Sequence, residues 1–248
     1  MFLFTTAFAL SFLGLFAKSQ PIEHPALGIT AIETQFETSD LIPDLLPSFN
    51  PSALMTVTFS GVGPISPGQN LSMQQTATVP DVTITPANSS VPTTGNFTLM
   101  MVDAFAIGTN GSDRQILHWL ANFATLQNDF SPRPSLNVST DGGLVVTNYI
   151  SPQPPVGTGL HRYAILLFPQ PSSFSPPANL SSPNVGIDLY FHFTNYTLSS
   201  NLGQPIAGTF FEVQQGPANV TIPPTSAVVT STPTPSVSSS PTVSSSAS

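Results

Sequence analysis

The sequence contains no cysteine. A chain without thiols has no disulfide framework, no thiolate metal site and no cysteine nucleophile, so a folded core must rest on apolar burial alone. Basic charge is almost as scarce. Lys18 is the sole lysine, and Arg114, Arg133 and Arg162 complete the cations against 12 carboxylates, for a net charge of −8. Without lysine past the leader-like start there is no Walker-type phosphate loop. Nor is there a basic stripe for nucleic acid, and an anionic membrane surface would repel the chain. The sequence also has no G-x-S-x-G elbow and no Cys/His metal spacing, and its scattered carboxylates single out no catalytic pair. An enzyme, a resident metal and a cofactor are therefore not expected. Charged residues make up only 6% of the chain, so much of its solubility must come from something other than charge.

The two ends supply context. Residues 2–17 are apolar with no acidic group, and Ala17-Lys18-Ser19 places small residues where a signal peptidase reads them. Cleavage before Gln20 is expected, since the run is short for a transmembrane helix and lacks flanking charge. The 14 asparagines include eight N-x-S/T sequons, at Asn70, Asn88, Asn96, Asn110, Asn137, Asn179, Asn195 and Asn219. Chance would give roughly three or four, so these are read as N-glycosylation sites of a secreted, extracellular or cell-wall-associated protein. From residue 222 onward the chain is rich in Ser, Thr and Pro, with no aromatic residue and no charge. Such a segment cannot offset its ordering entropy, and it reads as a disordered, O-glycosylated stalk with no hydrophobic anchor after it. Three parts are expected: a signal peptide over 1–19, one domain over 20–221 and a tail over 222–248.

Within the domain the local signals are those of strands. Segments 54–59, 97–102, 144–149, 163–168 and 209–213 are short, β-branched or aromatic, and bounded by Gly, Pro, Asn or Asp. Proline at 27 positions argues against long helices. Residues 185–196 fit either a strand or a helix. The class is all-β with a minor helix or two.

Three ordered segments carry a resemblance. Residues 103–107 read DAFAI and are followed, after a polar loop, by LHWL at 117–120. Residues 151–163 read SPQPPVGTGLHRY, and residues 201–208 read NLGQPIAG. In this order they resemble the phosphatidylethanolamine-binding protein family, which writes D-P-D-A-P before a strand histidine, then G-P-x-P-P-x-G-x-G-x-H-R-Y, then N-L-G-x-P-V-A-G. Residues 41–47 and Pro67-Gly68 resemble its N-terminal segment. The first motif departs from the pattern. Phe105 stands at the second Asp, and Ala104 and Ile107 replace both prolines.

The resemblance implies a large antiparallel sheet packed on a smaller one, with a small anion-accepting pocket at one end. Its pocket residues map onto Asp103, His118, His161 and Tyr163, whereas Arg162 is expected to pair structurally with a carboxylate or turn carbonyl. The residue types suit such a pocket. Two imidazoles can donate to phosphate oxygens and gain charge in mild acid, and a tyrosine hydroxyl adds a neutral donor. Asp103 could tune an imidazole or accept from an ammonium headgroup. Trp119 is read as core, and His24 and His192 as structural. The expected ligand is a phosphate-containing small molecule or a phospholipid headgroup. The alternatives are a protein-interaction module that inhibits a serine carboxypeptidase, as some relatives do, and a wall or matrix glycoprotein that keeps only the fold.

The secretion reading makes a direct demand on the purified protein. Its first residue should lie near Gln20, and endoglycosidase treatment should remove the mass of several glycans. An intact Met1 on glycan-free protein would end it.

Overall fold

The computed structural model describes residues 25–109, 114–128, 135–183 and 185–218. The expected signal peptide and tail lie outside them, as do His24, Arg133 and the sequons at Asn110 and Asn219. In chain order the elements are α1 (Pro25–Thr38), α2 (Leu41–Asp44), β1 (Ala53–Phe59), β2 (Gly63–Pro64), β3 (Gln69–Leu71) and β4 (Asp81–Pro86). Then come β5 (Phe97–Ala106), β6 (Gln115–Asn128), β7 (Leu136–Ser139), β8 (Leu144–Thr147) and β9 (His161–Pro169). A short 3-10 turn (Ala178–Leu180), β10 (Asp188–Phe191), α3 (Phe193–Ser199) and β11 (Ala207–Val213) complete the set.

The strands run β2-β1-β4-β7-β6-β5-β9-β11-β3, antiparallel except for β11 against β3. Strand β6 lets one continuous path make two layers. Its start pairs with β10, its middle with β8 and its end with β7, so it leaves the large sheet and enters the small one. The change of direction falls at Phe123, which has a φ of 59°. Gly143 makes room for it, because a Cβ there would lie 2.6 Å from the Asn122 carbonyl oxygen and 2.9 Å from that of Phe123.

Strands β9 and β11 are buried almost end to end, and so is β5, because both faces of the large sheet are covered. That is why they read in the sequence as apolar runs rather than alternating patterns. One face presents Met100, Val102, Leu166, Phe168 and Phe210 to the helices, which contribute Phe36, Leu41, Phe193 and Tyr196. The other presents Leu99, Met101, Ile165, Leu167 and Phe211 to Val57, Phe59, Val82 and Ile84 of the small sheet. Each such side chain is worth about 1.5–3 kcal/mol of burial, which is how a thiol-free chain holds together. Thr98 and Tyr196 each donate to Asn122 Oδ1 at 2.9 Å, tying β5, β6 and α3 across the first of these cores.

The large sheet on a smaller one agrees with the expected class, but helix α1 was not legible. Its apolar face is narrow: only Ile32 and Phe36 are buried, and three threonines and a glycine lower its propensity. Tertiary contact supplies what propensity lacks, since Phe36 stacks on Phe49 with centroids 4.1 Å apart and meets Phe210 edge-on. The ambiguous 185–196 segment is both things in succession, a strand and then a helix, separated by the extended His192. Asn70, Asn88, Asn96, Asn137, Asn179 and Asn195 are all exposed. No helix among the described residues is long and apolar enough to cross a membrane.

Candidate functional site

Two irregularities of pairing build the site. Along β5 and β6, Met101 pairs with Trp119 and Val102 with Leu117, so His118 is an extra residue in the ladder. Along β5 and β9, Asp103 pairs with Tyr163 and Ala106 with His161, leaving one surplus residue in β5. Phe105, in that surplus, has a φ of 60°. Bulges of this kind bend a strand and re-aim its side chains. Here they bring Asp103, His118, His161 and Tyr163 together at one end of the large sheet, each at most 3% exposed.

Hydrogen bonding ranks these groups by availability. His161 Nδ1 donates to Asp103 Oδ2 at 2.8 Å, while Asp103 Oδ1 accepts the Phe105 N–H at 2.7 Å. The Tyr163 hydroxyl also bonds the Asp103 carboxylate; burial and then that carboxylate raise its pKa far above the ordinary range, keeping it a neutral donor. His161 Nε2 lies 2.8 Å from Thr158 Oγ1, which is also 2.8 Å from Pro155 O, and the hydroxyl's one hydrogen serves only one of the two at a time. Asp103 and His161 are thus committed within the protein. Both oxygens of the carboxylate already accept from the protein, and both nitrogens of the imidazole have a partner.

His118 differs. Its backbone carbonyl accepts from the Ile150 N–H at 2.8 Å, and its Nδ1 contacts Ile150 O at 2.8 Å. A carbonyl can only accept, so Nδ1 carries the hydrogen and Nε2 is the acceptor in the neutral ring. Nε2 has no partner among the described residues and is not sealed from solvent. Burial lowers the His118 pKa below 6.5, with His161 adding to the effect and the Ile150 carbonyl and Asp103 opposing it. The ring also meets Tyr163 edge-on, centroids 5.2 Å apart.

Arg162 stands on the other face of β9, 1% exposed, and bonds what the bulge leaves unpaired. Its Nη2 donates to Ala104 O at 2.9 Å and its Nε to Phe105 O at 3.0 Å. The remaining contacts reach the N-terminal helices, Nη1 to Ser39 O at 2.6 Å and Nη2 to Asp44 Oδ2 at 2.9 Å. Both kinds of partner anticipated for it, a carboxylate and turn carbonyls, are present.

All four sequence-derived pocket residues therefore converge, with unequal roles. His192 is exposed and apart from them, and Trp119 lies in the core between the sheets. Thr158 and the Ile150 carbonyl were not anticipated. Thr158 sits inside the P-P-V-G-T-G-L-H-R-Y motif, three residues before the histidine it touches, and that spacing was its one signal. Among the described residues no three His, Asp or Glu side chains form a metal-holding group. Asp103 and His161 point their polar atoms at each other instead of at a common centre.

Comparison with known proteins gives a consistent picture. The family model described as phosphatidylethanolamine-binding protein matches residues 48–211. A 26 kDa secreted antigen of Toxocara canis is 31% identical over 186 residues, 72% of this chain and 63% of that protein. The carboxypeptidase Y inhibitor of Saccharomyces cerevisiae is 27% identical over 172 residues, covering 62% of this chain and 78% of the inhibitor. In fold, the chain resembles a carboxypeptidase Y inhibitor solved in complex with its cognate proteinase, with a TM-score of 0.62 at 23% identity, covering 79% of this chain and 98% of that one. A phosphatidylethanolamine-binding protein of Plasmodium vivax aligns with a TM-score of 0.55 at 17% identity, covering 73% and 96%.

The lowered pKa of His118 has a thermodynamic consequence. Between its folded value and the unfolded value of about 6.5, the unfolded chain binds more protons, so stability rises with pH in that window. The stabilisation is present above the unfolded pKa and is lost as pH falls through it towards the folded value. His118→Asn keeps an N–H for the Ile150 carbonyl and does not titrate. Urea midpoints should show the wild type losing stability relative to this variant as pH drops from about 7.5 to about 5.5. Parallel curves would contradict the assignment.

Proposed function

The chain belongs to the phosphatidylethanolamine-binding protein family, and on that premise we propose that it is a secreted binding protein whose bulged site takes a phosphate-bearing small molecule or lipid headgroup. The open Nε2 of His118 carries this reading. Neutral, that nitrogen offers a lone pair and would repel a phosphate oxygen. Protonated, it becomes a charged donor held in place by the Ile150 carbonyl. The anion therefore binds where His118 is protonated, and binding raises the pKa that burial has lowered. Asp103 and Tyr163 act through His161 and His118 and do not contact the anion themselves, since their polar atoms bond each other. Exposed sequons beside a leader-like N-terminus support the secreted setting.

Calorimetry on the full chain tests the reading, with sulfate as an anion that does not titrate and phosphate and phosphoethanolamine as the headgroup arms. Sulfate and phosphate should bind at about pH 5.5 with millimolar to tens-of-micromolar affinity and more weakly at about 7.5. His118→Ala should remove about 1.5–3 kcal/mol, the worth of a charge-assisted hydrogen bond. Phosphoethanolamine should gain little over phosphate, because the site's carboxylate is already occupied. No binding of any of the three at either pH would sink the proposal.

A second reading has its own support, the likeness in sequence and fold to a protein named for inhibiting carboxypeptidase Y. Under it the chain would slow a serine carboxypeptidase at a fixed molar ratio, and His118→Ala would leave that inhibition intact. A panel of such peptidases that all run at full rate in its presence would remove it.

A further inference from the structure

His161 is committed through both nitrogens, and one of its two partners is easily moved. Asp103 is 1% exposed on a central strand, with both oxygens bonded. Thr158 is half-buried in a turn between Gly157 and Gly159, which have φ of 84° and 90°. The turn is pinned from one side by the Gly157 N–H to Gln215 O at 3.1 Å, and the Thr158 hydroxyl closes back on Pro155 O. A change in one side-chain torsion would take Oγ1 off His161 Nε2 without disturbing the strand that holds the imidazole.

We propose that Thr158 is a latch on the anion site, its hydroxyl holding His161 Nε2 so that an anion gains the second imidazole only by displacing it. This rests on the anion reading of the site and adds a residue that sets how strongly the site binds. His118 supplies the open contact. His161 supplies a second, with the loss of the Thr158 hydrogen bond deducted from it. Both sources of ligand, free phosphate and a headgroup, would meet the same latch. Val is nearly isosteric with Thr and has no hydroxyl, so Thr158→Val leaves the turn filled and the nitrogen free. Thr158→Ser keeps the hydroxyl and should keep the latch.

The test titrates sulfate into the full chain at about pH 5.5 and reads His161 Nε2 by nitrogen NMR in wild type, Thr158→Val and Thr158→Ser. The expected result is sulfate affinity about three- to tenfold higher in Thr158→Val and unchanged in Thr158→Ser, since losing one competing hydrogen bond is worth about that factor. In the wild type, saturation should move the His161 Nε2 resonance towards its position in sulfate-bound Thr158→Val. If the wild type binds sulfate and Thr158→Val binds it no more tightly, the latch is wrong and the anion site stands. Binding by Thr158→Val alone would support the latch and overturn the sulfate binding expected of the wild type. Absence of binding in all three proteins overturns both. If Thr158→Val does not fold, a His161 Nε2 resonance in Thr158→Ser and wild type that sulfate leaves unmoved would overturn the latch.

Discussion

The guanidinium of Arg162 is the constraint on which the site depends. A bulge in β5 re-aims Asp103 but leaves the Ala104 and Phe105 carbonyls outside the ladder register, beside the buried Arg162 side chain. Each such orphan would cost about 1–3 kcal/mol. Arg162 satisfies both and reaches on to Ser39 and Asp44. The planar fork matters, because a lysine ammonium at the same place has three donors from a single atom and cannot span four acceptors on β5, α2 and the turn before α2. The same residue therefore fixes the bulge and anchors the N-terminal helices to the sheet. Phe36 and Leu41 then cover the helix-side core.

From that fixed bulge the chemistry follows in order. The Phe105 N–H and His161 hold the Asp103 carboxylate, which holds the imidazole, whose other nitrogen meets Thr158. This chain of bonds uses up the groups that the residue types alone would nominate for a ligand. His118 escapes it because it occupies a different bulge, clasped through its own carbonyl and Nδ1 to Ile150. Two histidines that look equivalent in the sequence are therefore a buttress and an open contact. Their separation also bears on how a chain with so few cations would hold the proposed anion: charge arrives at His118 only when a proton does.

Much of the fold was legible from the sequence, and for physical reasons. Doubly covered strands such as β9 read as unbroken apolar runs, and the Pro/Gly-rich motif before His161 announced a turn feeding a strand. The four site residues were legible through motif order. What escaped was decided by tertiary contact. Helix α1 has a weak apolar stripe and is held by Ile32 and Phe36 in its second half. The exit of β6 into the small sheet depends on the positive φ of Phe123 and on Gly143. The unequal availability of the histidines was also out of reach, because it turns on which carbonyl or hydroxyl each nitrogen meets across 32 residues for His118 and three for His161.

The guanidinium on one face of the sheet should shape the anion site proposed on the other. Arg162→Lys tests it by keeping the charge and losing the fork. Nitrogen and proton NMR of the imidazoles should then show the His161 Nδ1–H signal, hydrogen-bonded to Asp103 in the wild type, lost or moved to an exchanging position. Sulfate affinity should drop by about tenfold or more, about 1.4 kcal/mol, while far-ultraviolet dichroism keeps its β signature. An Arg162→Lys protein with the wild-type imidazole spectrum and wild-type sulfate affinity would contradict the account.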